Sequence, residues 1–193
     1  MNKKIDRGQA TREHLVAVAT GLFTAHGYDG TSIEAVLRAA EVSRGALYHH
    51  FPGKDALFAA VLDAVYERVE ADGARAVEGI GEPAAALRAA CQAWIRGTAD
   101  PVVRQVLLID APAVLGWQRW RELDEQRTLG KIKAALRRDG RLPAGRVDLF
   151  AHVLLAGMNE IAMLVARADD HASAAAEAEA AAGDLLDRLL GRA

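Results

Sequence analysis

The sequence has little of several residue types that mark whole classes of proteins. It contains one cysteine, Cys91, so no internal disulfide can form and a disulfide-stapled secreted scaffold is excluded. Five prolines and 5 % aromatic residues stand against 41 alanines, and this balance favours helices over sheets. We therefore expect an all-α protein in a reducing compartment, the cytoplasm.

Long apolar runs are also missing. The start of the chain is polar where a signal peptide needs an apolar segment, and no run reaches the roughly 18 to 20 residues of a membrane span. The longest candidate, 153–168, is interrupted by Asn159, Glu160 and Arg167. We expect a buried helix of a soluble protein there, and no membrane partner.

The chain has little excess of charge of either sign. Its 24 Lys and Arg against 26 Asp and Glu give a net charge of -2, which excludes a generally basic nucleic-acid-binding surface. Residues 1–54 nevertheless hold seven positive and five negative side chains, whereas residues 55–193 hold 17 and 21. Contact with a phosphate backbone is therefore expected only from the first 54 residues.

Apolar residues at spacings of three and four predict a helix over 10–25, which Gly27 ends. Thr31 or Ser32 can cap a short helix over 33–40, and Ser43 can cap a second over 44–50. Pro52 and Gly53 separate this pair from a longer helix over about 54–77. Two short helices joined by a tight turn are typical of a helix-turn-helix.

The rest of the chain predicts helices only. We expect them over 84–96, 102–110, 117–138, 147–167 and 172–190, with Ala111 and Pro112 among the breaks. No segment alternates as a strand does, and no repeat of solenoid length is present.

The second short helix has two different sides. Its apolar residues would pack against Leu22 and Phe23 of the first helix. The opposite side then carries Arg44, Gly45, Tyr48 and His49, a surface suited to the major groove of DNA.

The run from Thr31 to Phe58, and above all Val-Ser-Arg-Gly-Ala-Leu-Tyr-His-His-Phe at 42–51, resembles the DNA-binding module of the TetR-type repressors. The resemblance implies an all-helical homodimer that binds a palindromic operator in double-stranded DNA. It also implies a DNA-binding domain over 1–54 and an effector-binding and dimerisation domain over 55–193, which share the helix from about 54 to 77.

Family contacts carry over to eight residues of this sequence. The resemblance implies phosphate contacts for Thr31, Ser32, Tyr48, His50 and Lys54, and base contacts for Arg44, Gly45 and His49. Arg44 is the residue we expect at a guanine. Glu41 departs from the family, which usually places glycine in this turn.

Two groups of residues are candidates in the second half of the chain. An effector pocket with a mostly apolar wall would be lined by Cys91, Trp94, Leu107, Asp110, Trp117, Trp120, Met158, Asn159 and Met163. The same residues also suit a plain core, although Asn159 needs a hydrogen-bond partner inside an apolar helix. The dimer interface implied by the resemblance would use Phe150, Val153, Gly157, Ile161, Leu164, Leu185, Leu186 and Leu189.

Other classes of function fit less well. Ser43 with His49 or His50 superficially suggests a hydrolase, but no orienting acid or nucleophile elbow accompanies them. Adjacent histidines on a helix point about 100° apart and do not readily bind one metal, so we expect no metal, no cofactor and no enzyme activity. A dimeric helical adaptor that has lost specific DNA binding remains an alternative.

Overall fold

A computed structural model describes residues 3–190, with the side chains of residues 8–190. It is all-helical over this range, as predicted. The helices are α1 (Lys3–Gly30), α2 (Ile33–Ala40), α3 (Arg44–His50), α4 (Lys54–Ala76), α5 (Pro83–Gly97), a π-helix (Val103–Asp110), α6 (Ala111–Leu115), α7 (Trp117–Asp139), α8 (Val147–Arg167) and α9 (His171–Leu189). A single 3₁₀ turn (Ala144–Arg146) precedes α8.

The first three helices form a compact unit around Phe23, Val36 and Leu47, all of which are buried. The predicted end of α1 lies at Gly27, whose φ of 68° breaks the helical backbone before one more turn to Gly30. Ser32 accepts a hydrogen bond from the N–H of Ala35, and Ser43 accepts one from Ala46. Both predicted serine caps are therefore confirmed, and they set where α2 and α3 begin.

Helix α4 packs on both halves of the molecule. Near its start, Phe58 meets the ring of Phe23 edge-on, with 5.3 Å between ring centroids. Further along, Val65 and Tyr66 are buried against the C-terminal helices. The helix ends at Ala76, and Pro83 occupies the first turn of α5, in agreement with the predicted break.

The predicted break at Ala111 and Pro112 is wrong. The chain stays helical from Val103 to Leu115 and ends only at Gly116, where φ is 81°. Pro112 lies in the first turn of α6, directly after the π-helix. Proline cannot donate a backbone hydrogen bond, and Pro112 directly follows the last i→i−5 bond of the π-helix, from the N–H of Ala111 to the carbonyl of Val106, where the bonding changes to that of an α-helix.

The C-terminal helices surround a core that includes Ile95, Leu108, Trp120 and Leu136. Within it, α5 packs against α4, α7 and α9, and α8 lies between α7 and α9. The apolar segment 144–167 is long and apolar enough to cross a membrane by length and composition. In the folded protein 39 % of its most apolar window is buried. The helix predicted to be buried is thus buried on one side only.

Candidate DNA-binding surface and ligand cavity

One face of α3 is open to solvent. Arg44, Gly45, Tyr48 and His49 are exposed there, while Leu47 on the opposite side is completely buried. This is the division that the sequence predicts. A helix presenting a guanidinium, a glycine and two flat polar rings can approach the edges of DNA bases closely.

The Arg44 guanidinium is already oriented by its neighbours. It donates a hydrogen bond of 2.7 Å to Glu34 on α2 and lies 6.0 Å from the centre of the Tyr48 ring. The backbone N–H at the start of α2 and the Arg44 guanidinium together lower the pKa of Glu34. Glu34 therefore stays ionised at neutral pH and holds Arg44 at the exposed surface.

The residues expected to contact phosphates differ in how far their side chains are exposed to solvent. Ser32 is exposed at the start of α2, and His50 and Lys54 are half-buried. The Lys54 ammonium lies 3.9 Å from the centre of the Tyr28 ring, which holds it beside the N-terminal unit.

Thr31 requires a correction. Its side chain is buried, and its hydroxyl donates to the carbonyls of Gly27 at 2.9 Å and Leu22 at 3.2 Å. These two bonds tie the end of α1 to the start of α2. Thr31 is therefore a structural residue, and we leave it out of the DNA-contacting set.

The turn between α2 and α3 depends on an unusual backbone at Glu41. Its φ of 55° and ψ of 35° are left-handed, and it is the single non-glycine residue with positive φ in the described range 3–190. Its N–H closes the end of α2 by donating to the carbonyl of Leu37. This conformation costs a side-chain-bearing residue about 1 kcal/mol relative to glycine.

We expect Glu41→Gly to raise the free energy of unfolding by about 0.5 to 1 kcal/mol, because glycine adopts the left-handed backbone without strain. Urea unfolding followed by circular dichroism measures the change. Glu41→Ala is the matched control, since it removes the same carboxylate but keeps the strain. An equal rise in the free energy of unfolding in both variants would show that the carboxylate charge, and not the left-handed backbone, destabilises the protein at this position.

A cavity of about 410 Å³ lies between α4, α5, α7 and α8. Of the residues predicted for an effector pocket, five line it: Cys91, Trp94, Leu107, Met158 and Asn159. Apolar side chains form most of the wall, including Val69, Leu87, Ile132 and Leu155. The volume and lining suit a drug-sized molecule with a mainly apolar body.

Four residues predicted for the pocket lie outside it. Trp117 is 52 % exposed at the start of α7, and Trp120 is buried in the core beside it. Met163 packs against the core, and Asp110 faces the end of α1. Sequence spacing alone could not separate these positions, because neighbouring turns of one helix face different partners.

The polar side of the cavity comes mainly from α4 and α7 and was missed by sequence reasoning. Asp124 accepts a hydrogen bond of 2.5 Å from Asn159, so Asn159 does find the partner it needs. Burial raises the pKa of Asp124, although the bond from Asn159 acts in the opposite direction. Burial also raises the pKa of the Cys91 thiol to about 12, so this residue is a neutral part of the apolar wall.

An apolar face on α8 and α9 is exposed to solvent. Val153 and Leu164 are 60 % and 59 % exposed on α8, and Leu149 and Leu185 are also exposed. Phe150, Gly157, Ile161 and Leu189 of the predicted interface are partly buried beside this face. Leu186 is the exception: it is completely buried inside the protomer, so its prediction as an interface residue is wrong.

Two family models match the chain. Residues 15–61 match bacterial regulatory proteins of the tetR family, and residues 84–189 match the tetracyclin repressor-like C-terminal domain. The second match alone spans more than half of the 193 residues. The chain belongs to the TetR family.

Curated relatives match the N-terminal part of this TetR-family chain. The HTH-type transcriptional regulator UidR of Escherichia coli is 32 % identical over 80 residues, which are 42 % of this chain and 41 % of that protein. The A-factor receptor protein of Streptomyces griseus is 38 % identical over 64 residues, or 33 % of this chain and 23 % of that protein. The alignments thus span about two fifths or less of these relatives.

Solved structures of TetR-family regulators match along nearly the whole chain. A regulator from Pectobacterium atrosepticum has a TM-score of 0.78 at 26 % identity, covering 98 % of this chain and 97 % of that one. A regulator from Chloroflexus aurantiacus has a TM-score of 0.74 at 25 % identity, covering 95 % and 97 %. The family fold therefore extends through the C-terminal helices.

In this TetR-family chain the two halves meet at Asp110, the last residue of the π-helix. Its carboxylate accepts hydrogen bonds from the N–H of Tyr28 at 2.8 Å and from Gln105 at 2.9 Å. Burial raises its pKa, and these bonds oppose that effect. Gly27 permits the approach, because a side chain there would meet Gln105 at 3.3 Å. Asp110, predicted as a pocket residue, is instead the link between the π-helix and α1.

Proposed function

We propose that this chain is a dimeric DNA-binding transcriptional regulator that acts in the cytoplasm, with residues 1–54 as its DNA-binding domain. The exposed face of α3 is the observation that carries the proposal. It presents Arg44, Gly45, Tyr48 and His49 on a helix of the correct size for the major groove. Arg44 on this face contacts Glu34, which lies two residues after Ser32 in the first turn of α2.

The residues have two kinds of role in this proposal. Arg44, Gly45 and His49 face base edges, and Arg44 donates two hydrogen bonds to O6 and N7 of a guanine. Ser32, Tyr48, His50 and Lys54 contact the phosphate backbone and position α3 without reading sequence.

Two copies act together. The exposed apolar face of α8 and α9 supplies the contact between protomers, within an effector-binding and dimerisation domain over 55–193. A two-fold dimer presents its recognition helices to successive major grooves about 34 to 36 Å apart, so the operator is palindromic.

The protein acts as a repressor that a small, mainly apolar effector releases. Two elements connect the cavity with the N-terminal unit: α4, through Tyr66 and Phe58, and the π-helix, through Leu107 and Asp110. An effector that moves either element changes the separation of the two recognition helices. A coupling of about 1 to 3 kcal/mol weakens operator binding about 5- to 150-fold.

Titration of the protein with DNA from its own upstream region tests the proposal. We expect a dissociation constant on the order of 10⁻⁸ to 10⁻¹¹ M for the operator, and at least about a thousandfold weaker binding to the same DNA with its half-sites scrambled. Affinity should fall steeply with salt, since phosphate contacts release counterions.

Equal affinity for operator and scrambled DNA would contradict the proposal and favour a helical adaptor. A ligand shown to occupy the cavity should also lower operator affinity. An occupied cavity with unchanged operator affinity would overturn the release mechanism while leaving DNA binding intact.

A further inference from the structure

The mouth of the cavity lies between α4 and α7, where the lining residues Ala74, Lys131 and Arg138 are exposed. Ion pairs span this opening. Glu70 on α4 accepts hydrogen bonds from Arg127 at 3.1 Å and from Lys131 at 2.9 Å, both on α7. Glu70 thus pairs with both cations at the entrance, and Arg127 also donates a hydrogen bond of 2.7 Å to Asp63 on α4.

Positive charge exceeds negative charge in the cavity wall. The lining cations are Arg127, Lys131 and Arg138, all on one side of α7, and the lining acids are Glu70 and Asp124. Arg138 makes no ion pair with any residue in the described range. Partial burial opposes ionisation of Glu70, but the bonds from Lys131 and Arg127 lower its pKa, so Glu70 is a full negative charge held in place by them.

Asp124 does not make the interior a cation site. Its carboxylate accepts hydrogen bonds from Asn159 and Thr128, and burial raises its pKa. Its hydrogen-bonding capacity is therefore largely used within the protein, and its neutral form is favoured relative to an exposed aspartate.

Two buried donors on the wall have no partner. The hydroxyl of Tyr66 and the indole N–H of Trp94 are buried and form no hydrogen bond within the part of the chain that the structure describes. Both residues line the cavity, and Tyr66 as a whole is 5 % exposed. An indole N–H can only donate, so at least this group requires an acceptor atom.

We propose that the effector is an amphipathic anion, with an apolar body inside the cavity and a carboxylate or sulfonate group at the mouth. The anionic group takes the place of Glu70 on Arg127 and Lys131 and also meets Arg138. Trp94 and Tyr66 form part of the wall around the apolar body. The inference rests on the proposed function, since it names the chemistry of the molecule that relieves repression.

A pair of fluorescent probes tests the charge preference directly. 8-Anilino-1-naphthalenesulfonate and N-phenyl-1-naphthylamine share one apolar body, but only the first carries an anionic group. We expect the sulfonate to bind the full-length protein about three- to tenfold more tightly than the neutral probe, because exposed ion pairs contribute modestly. Equal affinity, or tighter binding of the neutral probe, would overturn the inference.

Variants locate the effect at the mouth. Lys131→Gln combined with Arg138→Gln should remove the preference for the sulfonate and leave the neutral probe unaffected. Arg137→Gln is the matched control, as Arg137 is an exposed cation of α7 outside the cavity wall. A preference that survives the double variant, or is lost in the control, would contradict the assignment.

Glu70→Gln gives a prediction of opposite sign. It removes the carboxylate from Lys131 and from one nitrogen of Arg127, whose other nitrogen stays paired with Asp63, so the sulfonate should bind severalfold more tightly and the neutral probe as before. Weaker sulfonate binding would mean that Glu70 supports the site, and would overturn the displacement step.

Ala90→Trp, which fills the cavity, should abolish the binding of both probes. Unchanged binding would show that the probes bind elsewhere and would overturn the site. Operator binding of the same preparations is measured separately. A protein that binds operator but does not prefer the sulfonate would contradict only this inference, whereas a protein that does not bind operator would contradict the proposed function.

Discussion

Replacing both Val153 and Leu164 with glutamate is expected to make the protein monomeric and to weaken operator binding about 10²- to 10⁴-fold. The two side chains are the exposed centre of the apolar face on α8. Four charges introduced across a two-fold interface cannot be buried there without a large desolvation cost. A dimer binds its second half-site at a high effective concentration, and a monomer loses that gain.

Light scattering after gel filtration measures the mass, and titration with operator DNA measures the affinity. Ile80→Glu is the control, because Ile80 is also an exposed apolar residue but lies outside α8 and α9. The control should stay dimeric. A double variant that remains dimeric would show that the interface lies elsewhere on the protein.

Arg44→Ala is expected to weaken binding to the operator by about 1 to 3 kcal/mol, or roughly 5- to 150-fold, and to relax specificity at one base pair of each half-site. The cause is the loss of two hydrogen bonds to a base edge. Lys54→Ala should weaken all DNA sequences alike and make the salt dependence shallower, because it removes only a phosphate contact.

Titration against the operator and its single-base variants separates the two effects. Arg75→Ala serves as the control, since Arg75 is an exposed arginine near the end of α4, far along the chain from α3. If Arg44→Ala and Lys54→Ala produce the same sequence-independent loss, the division between base and phosphate contacts is wrong.

The N-terminal unit could be predicted from sequence because its signals are local. Ser32 and Ser43 cap the helices that follow them within three residues, and Gly27 ends the helix that precedes it. Thr31 was misassigned for a related reason: a threonine beside a cap resembles a capping residue. Thr31 is buried because its hydroxyl donates to the carbonyls of Leu22 and Gly27 in α1.

The cavity was only half predictable. Its apolar wall could be guessed from Trp94, Cys91 and Met158, but Trp120 and Met163 are side chains of the same kind and pack in the core outside the cavity. The charged mouth had no local signal, because Glu70 and Arg127 are 57 positions apart and each resembles an ordinary solvated residue of its own helix. The π-helix likewise has no marker in its own residues, and it packs against α1 and α4 from distant parts of the chain.

The bond between Asp110 and the Tyr28 amide joins positions 82 residues apart. During translation the three N-terminal helices leave the ribosome well before Asp110 has been made. Until then the Tyr28 amide lacks the acceptor that it has in the folded protein, and the aromatic residues at the end of α1 lack Phe58 for part of that time. In a nascent chain the contact that joins the N-terminal helices to the π-helix therefore forms only after more than half of the polypeptide has been synthesised.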